Sequence, residues 1–116
     1  MGRLQSELIA AEQVLNTDYS FDLAEPHYRN CLELIRSAPD RQAEFERLLV
    51  TMYSEKRLSD EPLAYLMHLL RWPGVRKWLE KTLANDPAAI ATGAAHEKVL
   101  AAYSDDWQNR EFYQFR

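Results

Sequence analysis

Residues 63–70, Leu63-Ala64-Tyr65-Leu66-Met67-His68-Leu69-Leu70, form the most apolar stretch of the chain, and His68 is their only strongly polar member. A helix built on this octapeptide is apolar on nearly every side, so its neighbours have to enclose it. The segments on either side are amphipathic, with one apolar face each. The expected fold is all-α, with about six antiparallel helices around a buried central helix at residues 60–71. Two arrangements fit: a compact bundle, or a short HEAT-like stack of helical hairpins at roughly 24–57 and 60–84.

Working outward, Ser59, Asp60, Glu61 and Pro62 open the central helix with residue types suited to its positive end, and Pro73–Gly74 should stop it. Pro73 also starts the next helix, whose face is Val75, Trp78, Leu79 and Thr82. Asn85-Asp86-Pro87 closes that helix. Upstream, Ser37 and Pro39 precede the cleanest periodicity in the chain: Phe45, Leu48, Leu49, Met52 and Tyr53 stand at i, i+3, i+4, i+7 and i+8. Before it, Asp22 reads as an N-cap with Glu25 three residues on, and Tyr28, Cys31, Leu32 and Ile35 form the buried stripe. Leu4, Leu8, Ala11 and Leu15 mark a first helix, interrupted at Asn16–Phe21. Val99, Leu100 and Tyr103 mark a sixth, and Asp105–Tyr113 adds a short seventh. No stretch alternates with period two and no Asn-Gly or Asp-Gly hairpin turn occurs.

With 116 residues the chain is expected to form one helical domain, with residues 104–116 as a short aromatic-rich segment docked on it. Fourteen Lys and Arg face 18 Asp and Glu, a net charge of −4. This balance disfavours general affinity for nucleic acid or anionic membranes, which need a positive field. The acidity is uneven. Residues 1–60 carry 7 basic and 11 acidic side chains and residues 61–116 carry 7 of each, with Arg71, Arg76, Lys77 and Lys81 clustered against Glu80. A single cysteine, Cys31, signals no disulfide framework. Glu7, Glu12 and Gln13 break up the first residues, so they do not read as a signal peptide, and no apolar run approaches the ~20 residues that span a bilayer. A cytoplasmic location without membrane contact is expected.

The octapeptide Arg71-Trp72-Pro73-Gly74-Val75-Arg76-Lys77-Trp78 interleaves basic and aromatic residues at a helix–helix corner. Such a corner can hold phosphate on a helix N-terminus or stack single-stranded bases. It can also be structural, with Trp72 plugging the turn, Trp78 on the core stripe and Arg76 pairing with Glu80 at i, i+4. The tail sets Trp107, Phe112, Tyr113 and Phe115 within nine positions, beside Asp105, Asp106 and Arg110. Its aromatic residues can dock on the core or act with Arg110 as anchors for a partner.

Catalytic and metal patterns are weak. Neither H-E-x-x-H nor Glu-x-x-His occurs, so zincin and di-iron spacings are missing from the sequence. His68 reads as a core histidine bonded to a backbone carbonyl or a tyrosine hydroxyl. Cys31 falls on a buried stripe where a thiol is inert, and His27 lies one turn before it on the same flank. The resulting expectation is a non-enzymatic protein–protein interaction module, an adaptor or a regulatory or inhibitory subunit, needing no cofactor and no metal. Its partner surface would comprise Arg71, Trp72, Arg76, Lys77, Asp105, Asp106, Trp107, Arg110 and Tyr113, and a homodimer could use the same surface. The alternatives are a toxin-neutralising immunity-type protein, a nucleic-acid binder through the Arg71–Lys81 corner, and a small enzyme using His27 with Cys31, or His68.

Overall fold

A computed structural model describes residues 2–18, 21–85, 90–104, Trp107 and Tyr113. These residues form six α-helices and one 3-10 turn: α1 (Gly2–Asp18), α2 (Phe21–Arg36), the turn Pro39–Arg41, α3 (Gln42–Ser54), α4 (Asp60–Leu70), α5 (Pro73–Asn85) and α6 (Ile90–Ala101). The all-α architecture expected from the sequence is the one observed, with no strand among the described residues.

The central helix is α4. All eight residues from Glu61 to His68 are buried, as a helix apolar on every side requires. It opens at Ser59, whose extended backbone makes it the N-cap, and Asp60 and Glu61 place negative charge against the positive helix end. The serine hydroxyl does not cap its own helix. It donates, together with the Ser59 N–H, to Glu12 Oε1 of α1, at 2.7 and 2.9 Å.

The helix ends differently from the sequence expectation. Arg71 takes a left-handed conformation (φ 52°, ψ 45°) and sends its N–H back to the Met67 carbonyl at 2.8 Å, so α4 stops before Pro73. A non-glycine residue held there carries roughly 1–2 kcal/mol of local strain. Gly74 is instead inside α5. A Cβ at this position would fall on the Glu46 carboxylate, which lies against the first turn of α5.

The start of α2 is also earlier than expected. Asp22 lies inside the helix rather than capping it. Glu25, expected to complete the cap, is buried and accepts the Tyr65 hydroxyl of α4 at 2.9 Å. Pro26 sits in the sixth position of α2, where it removes a helical N–H. The helix nevertheless runs back past Pro26, because α2 packs along α1 in the most extensive helix pairing of the molecule.

The remaining pairings set the order in which the helices meet. α4 packs chiefly on α6, and α3 on α5, which also touches α6. α2 also touches α4, and α3 touches α4. The Cα radius of gyration of 13.4 Å matches the ~13 Å of a compact chain of this length. The two-residue link Arg71–Trp72, with Arg71 left-handed, joins α4 to α5.

The apolar faces read from the sequence are the core faces. Leu4, Leu8 and Ala11 of α1, Tyr28, Cys31, Leu32 and Ile35 of α2, and Phe45, Leu49, Met52 and Tyr53 of α3 are all buried. Val75 and Leu79 of α5 and Val99 of α6 are buried as well, while Leu15, Leu48, Trp78, Thr82, Leu100 and Tyr103 are half-buried.

Candidate functional site

Arg71, Trp72, Arg76 and Lys77 form the corner between α4 and α5. Trp72 is buried, its ring stacked on Phe45 with centroids 6.5 Å apart and planes 9° from parallel. The Tyr103 hydroxyl donates to the Trp72 carbonyl at 2.6 Å and ties the corner to the end of α6. Trp72 therefore presents no open ring to a base or a partner. Arg76 pairs with Glu80 at 2.9 Å and lies over the Tyr103 ring at 5.8 Å. Arg71 is exposed and donates from Nε to the His68 carbonyl, and Lys77 and Lys81 are exposed.

Of the tail, Trp107 and Tyr113 are described, and both are buried. Tyr113 meets Tyr65 edge-on at 5.0 Å and donates its hydroxyl to Glu61 Oε2 at 2.6 Å, and Trp107 lies 5.8 Å from the His68 ring. These two residues face inward to α4. Asp105, Asp106 and Arg110 lie outside the described residues, as do Phe112, Phe115 and the rest of the expected seventh helix.

The candidate catalytic groups are held by their surroundings. His68 Nδ1 lies 3.1 Å from the carbonyls of both Ala102 and Ser104, so that nitrogen carries the proton and donates to backbone. Burial pushes the Cys31 thiol up to about 12, which leaves it un-ionised near neutrality. Its neighbour His27 turns to α1 and meets Glu7 Oε2 at 2.9 Å. The sequence-level pairing of His27 with Cys31 is thus replaced by a His–carboxylate pair without an ionisable thiol.

A concave surface that the sequence did not single out lies elsewhere. Five helices and the link between α3 and α4 converge on a cavity of about 470 Å³. Its wall is aromatic: Tyr53 of α3, Trp78 of α5 and His96 of α6 stand with ring centroids 5.3 to 6.0 Å apart, Tyr53 and Trp78 edge to face. Leu58, Thr82 and Ala95 extend that wall, and Glu12, Ser59, Asp60 and Lys56 supply the polar margin. The size falls within the ~300–1,000 Å³ of ligand sites, which combine apolar walls with a few placed polar groups.

The polar members come from four helices and the link between α3 and α4. The Tyr53 hydroxyl lies 2.8 Å from His96 Nδ1, both residues being buried. His96 Nε2 is also buried and has no hydrogen-bond partner among the described residues. Burial lowers the His96 pKa below its ordinary 6.5, so the ring is neutral at physiological pH. Glu12 Oε1 takes both Ser59 donors, which clamps α1 to the start of α4 at the cavity margin. Asp60 is answered by Lys98 at 3.2 Å.

Sequence spacing carried no sign of this site. Tyr53, Trp78 and His96 are drawn from three helices, and Tyr53 and Trp78 lay on stripes that already accounted for them as core. Comparison of the chain with protein-family models, with curated proteins and with solved structures gave no match in any of the three. Among the described residues no group of three or more His, Cys, Asp or Glu could hold a metal ion, and no helix is long and apolar enough to cross a membrane.

Proposed function

We propose that this chain is a non-catalytic binding module of the cytoplasm, an adaptor or regulatory subunit, which receives a side chain of a partner protein in the Tyr53–Trp78–His96 cavity. The observation that carries this reading is the cavity itself, whose Tyr53, Trp78 and His96 rings and few placed polar groups have the make-up of a ligand site. The half-buried Trp78 adds the residue type that most often anchors interfaces.

The reading moves the partner surface from the corner and tail to the opposite junction of α3, α5 and α6. It is supported by the burial of Trp72, Trp107 and Tyr113, whose rings are already used inside the protein. The enzymatic alternatives are weakened by the un-ionised Cys31 and by the engagement of His27 and His68. The nucleic-acid alternative retains Lys77 and Lys81 but lacks an exposed aromatic platform at Trp72, and it works against a net charge of −4.

Affinity capture of the tagged chain from its native cell, compared across three forms, tests the proposal. A stoichiometric protein that co-purifies with the wild type and with Lys77→Glu, and is lost with Trp78→Ala, is the expected result. Retention by Trp78→Ala and loss with Lys77→Glu would return the surface to the corner. Recovery of a second copy of the chain alone would replace the hetero-partner with a homodimer.

A further inference from the structure

We infer that the occupant of the Tyr53–Trp78–His96 cavity is cationic, a lysine or arginine side chain whose alkyl stem lies on the aromatic wall and whose charge reaches Glu12. The inference rests on the binding reading above and adds the chemistry of the ligand.

Three observations converge on it. First, the wall offers π-surface beside Leu58 and Ala95, with an indole and a phenol set edge to face, and indole is the strongest cation–π partner among the side chains. Second, the polar margin leaves negative charge unanswered. Both donors that reach Glu12 use Oε1, so Oε2 has no hydrogen-bond partner among the described residues, whereas Asp60 is already met by Lys98. Third, His96 adds no opposing charge, since its ring is buried and neutral.

Among the described residues Lys56 is the one cation that lines the margin, and with Asp60 met by Lys98 it faces Glu12 alone, with no ion pair joining the two. Its backbone is left-handed (φ 61°) and its side chain exposed, beyond the end of α3. An entering ammonium or guanidinium would lay its methylenes on Trp78 and exchange hydration for the Glu12 oxygen. Long basic side chains suit such a route because an apolar stem carries a polar head.

The test uses the whole chain and three probes: N-acetyl-lysine N-methylamide, its arginine counterpart, and N-acetyl-norleucine N-methylamide as the uncharged analogue. Binding is read from the Trp78 indole N–H resonance, assigned with Trp78→Phe, at low ionic strength. The expected result is saturable movement of that resonance with the lysine or arginine probe, with affinity at least about tenfold above the norleucine probe. Glu12→Gln, which keeps the acceptor for Ser59 but removes the charge, should abolish that preference without unfolding the chain. Equal or tighter binding of norleucine overturns the cationic inference and leaves the cavity as a binding site for an apolar group. No movement of Trp78 with any probe up to tens of millimolar overturns the cavity reading together with it. An unaltered preference in Glu12→Gln would also overturn the assignment, because the charge would then be recognised elsewhere.

Discussion

The Tyr53 hydroxyl and His96 Nδ1 lie 2.8 Å apart across 43 residues of chain, and this buried bond joins the end of α3 to the middle of α6. Nε2, on the far side of the ring, has no hydrogen-bond partner among the described residues, and is a donor if Tyr53 donates to Nδ1 and an acceptor if Nδ1 donates to Tyr53.

The pH response of the fold follows from that ring. His96 has a folded-state pKa depressed by burial, so protonation favours the unfolded chain. Its contribution is present above the ordinary value of 6.5 and is lost as pH falls through that value towards the lower folded one. Urea titrations at pH 7.5, 6.5 and 5.5 should show stability declining with pH, and His96→Phe should flatten part of that slope. A slope unchanged by the substitution would assign it to other groups.

Cys31 should be nearly inert. With its pKa near 12, the thiolate fraction at pH 8 is roughly a thousandfold below that of an ordinary cysteine. Reaction with a chromogenic disulfide should therefore be slow in the native state and rapid in urea. Rapid native labelling at a rate independent of denaturant would show that the thiol is accessible.

Glu61 is buried in α4 between Lys98 of α6 and the Tyr113 hydroxyl. Removing one partner of a buried pair leaves an uncompensated charge, typically at about 3–5 kcal/mol. Lys98→Met should thus lower stability by several kcal/mol in thermal or urea unfolding. Combining it with Glu61→Gln should recover a substantial part, because the stranded charge is gone, and strictly additive losses would mean the two side chains do not interact.

Gly74 has a conditional role. In the wild type, Gly74→Ala displaces the Glu46 carboxylate from the start of α5, a helix-end interaction of about 0.3–1 kcal/mol. Alanine in place of helical glycine returns about 0.5–1 kcal/mol, so the net change should be small. In a Glu46→Ala background the gain stands alone, and Gly74→Ala should stabilise. A double-mutant cycle by urea unfolding measures the difference.

The periodic stripes of α1 to α5, the start of α4 at Ser59 and the burial of most of the apolar run 63–70 were legible in the sequence, because each depends on neighbours within a turn or two of helix; Leu69 and Leu70 at its end are only half-buried. The start of α2 was not. Asp22 and Glu25 have the local form of a cap, yet packing on α1 extends the helix past them and gives Glu25 to Tyr65. Trp72 and the tail aromatic residues were conspicuous by type. Residue type does not distinguish a ring that anchors a partner from one stacked on Phe45 or pressed against Tyr65.

Local chemistry was therefore enough to define an all-helical chain, its central apolar helix and the inward face of most other helices, since helical periodicity and end-capping act over a few residues. Tertiary structure alone decided the pairing of α4 with α6 and of α3 with α5, the inward turn of Trp72, and the meeting of Tyr53, Trp78 and His96 around one cavity. Those features depend on where helices come to rest against one another. The balance of many weak, long-range packing contacts sets that position, and no spacing along the chain records it.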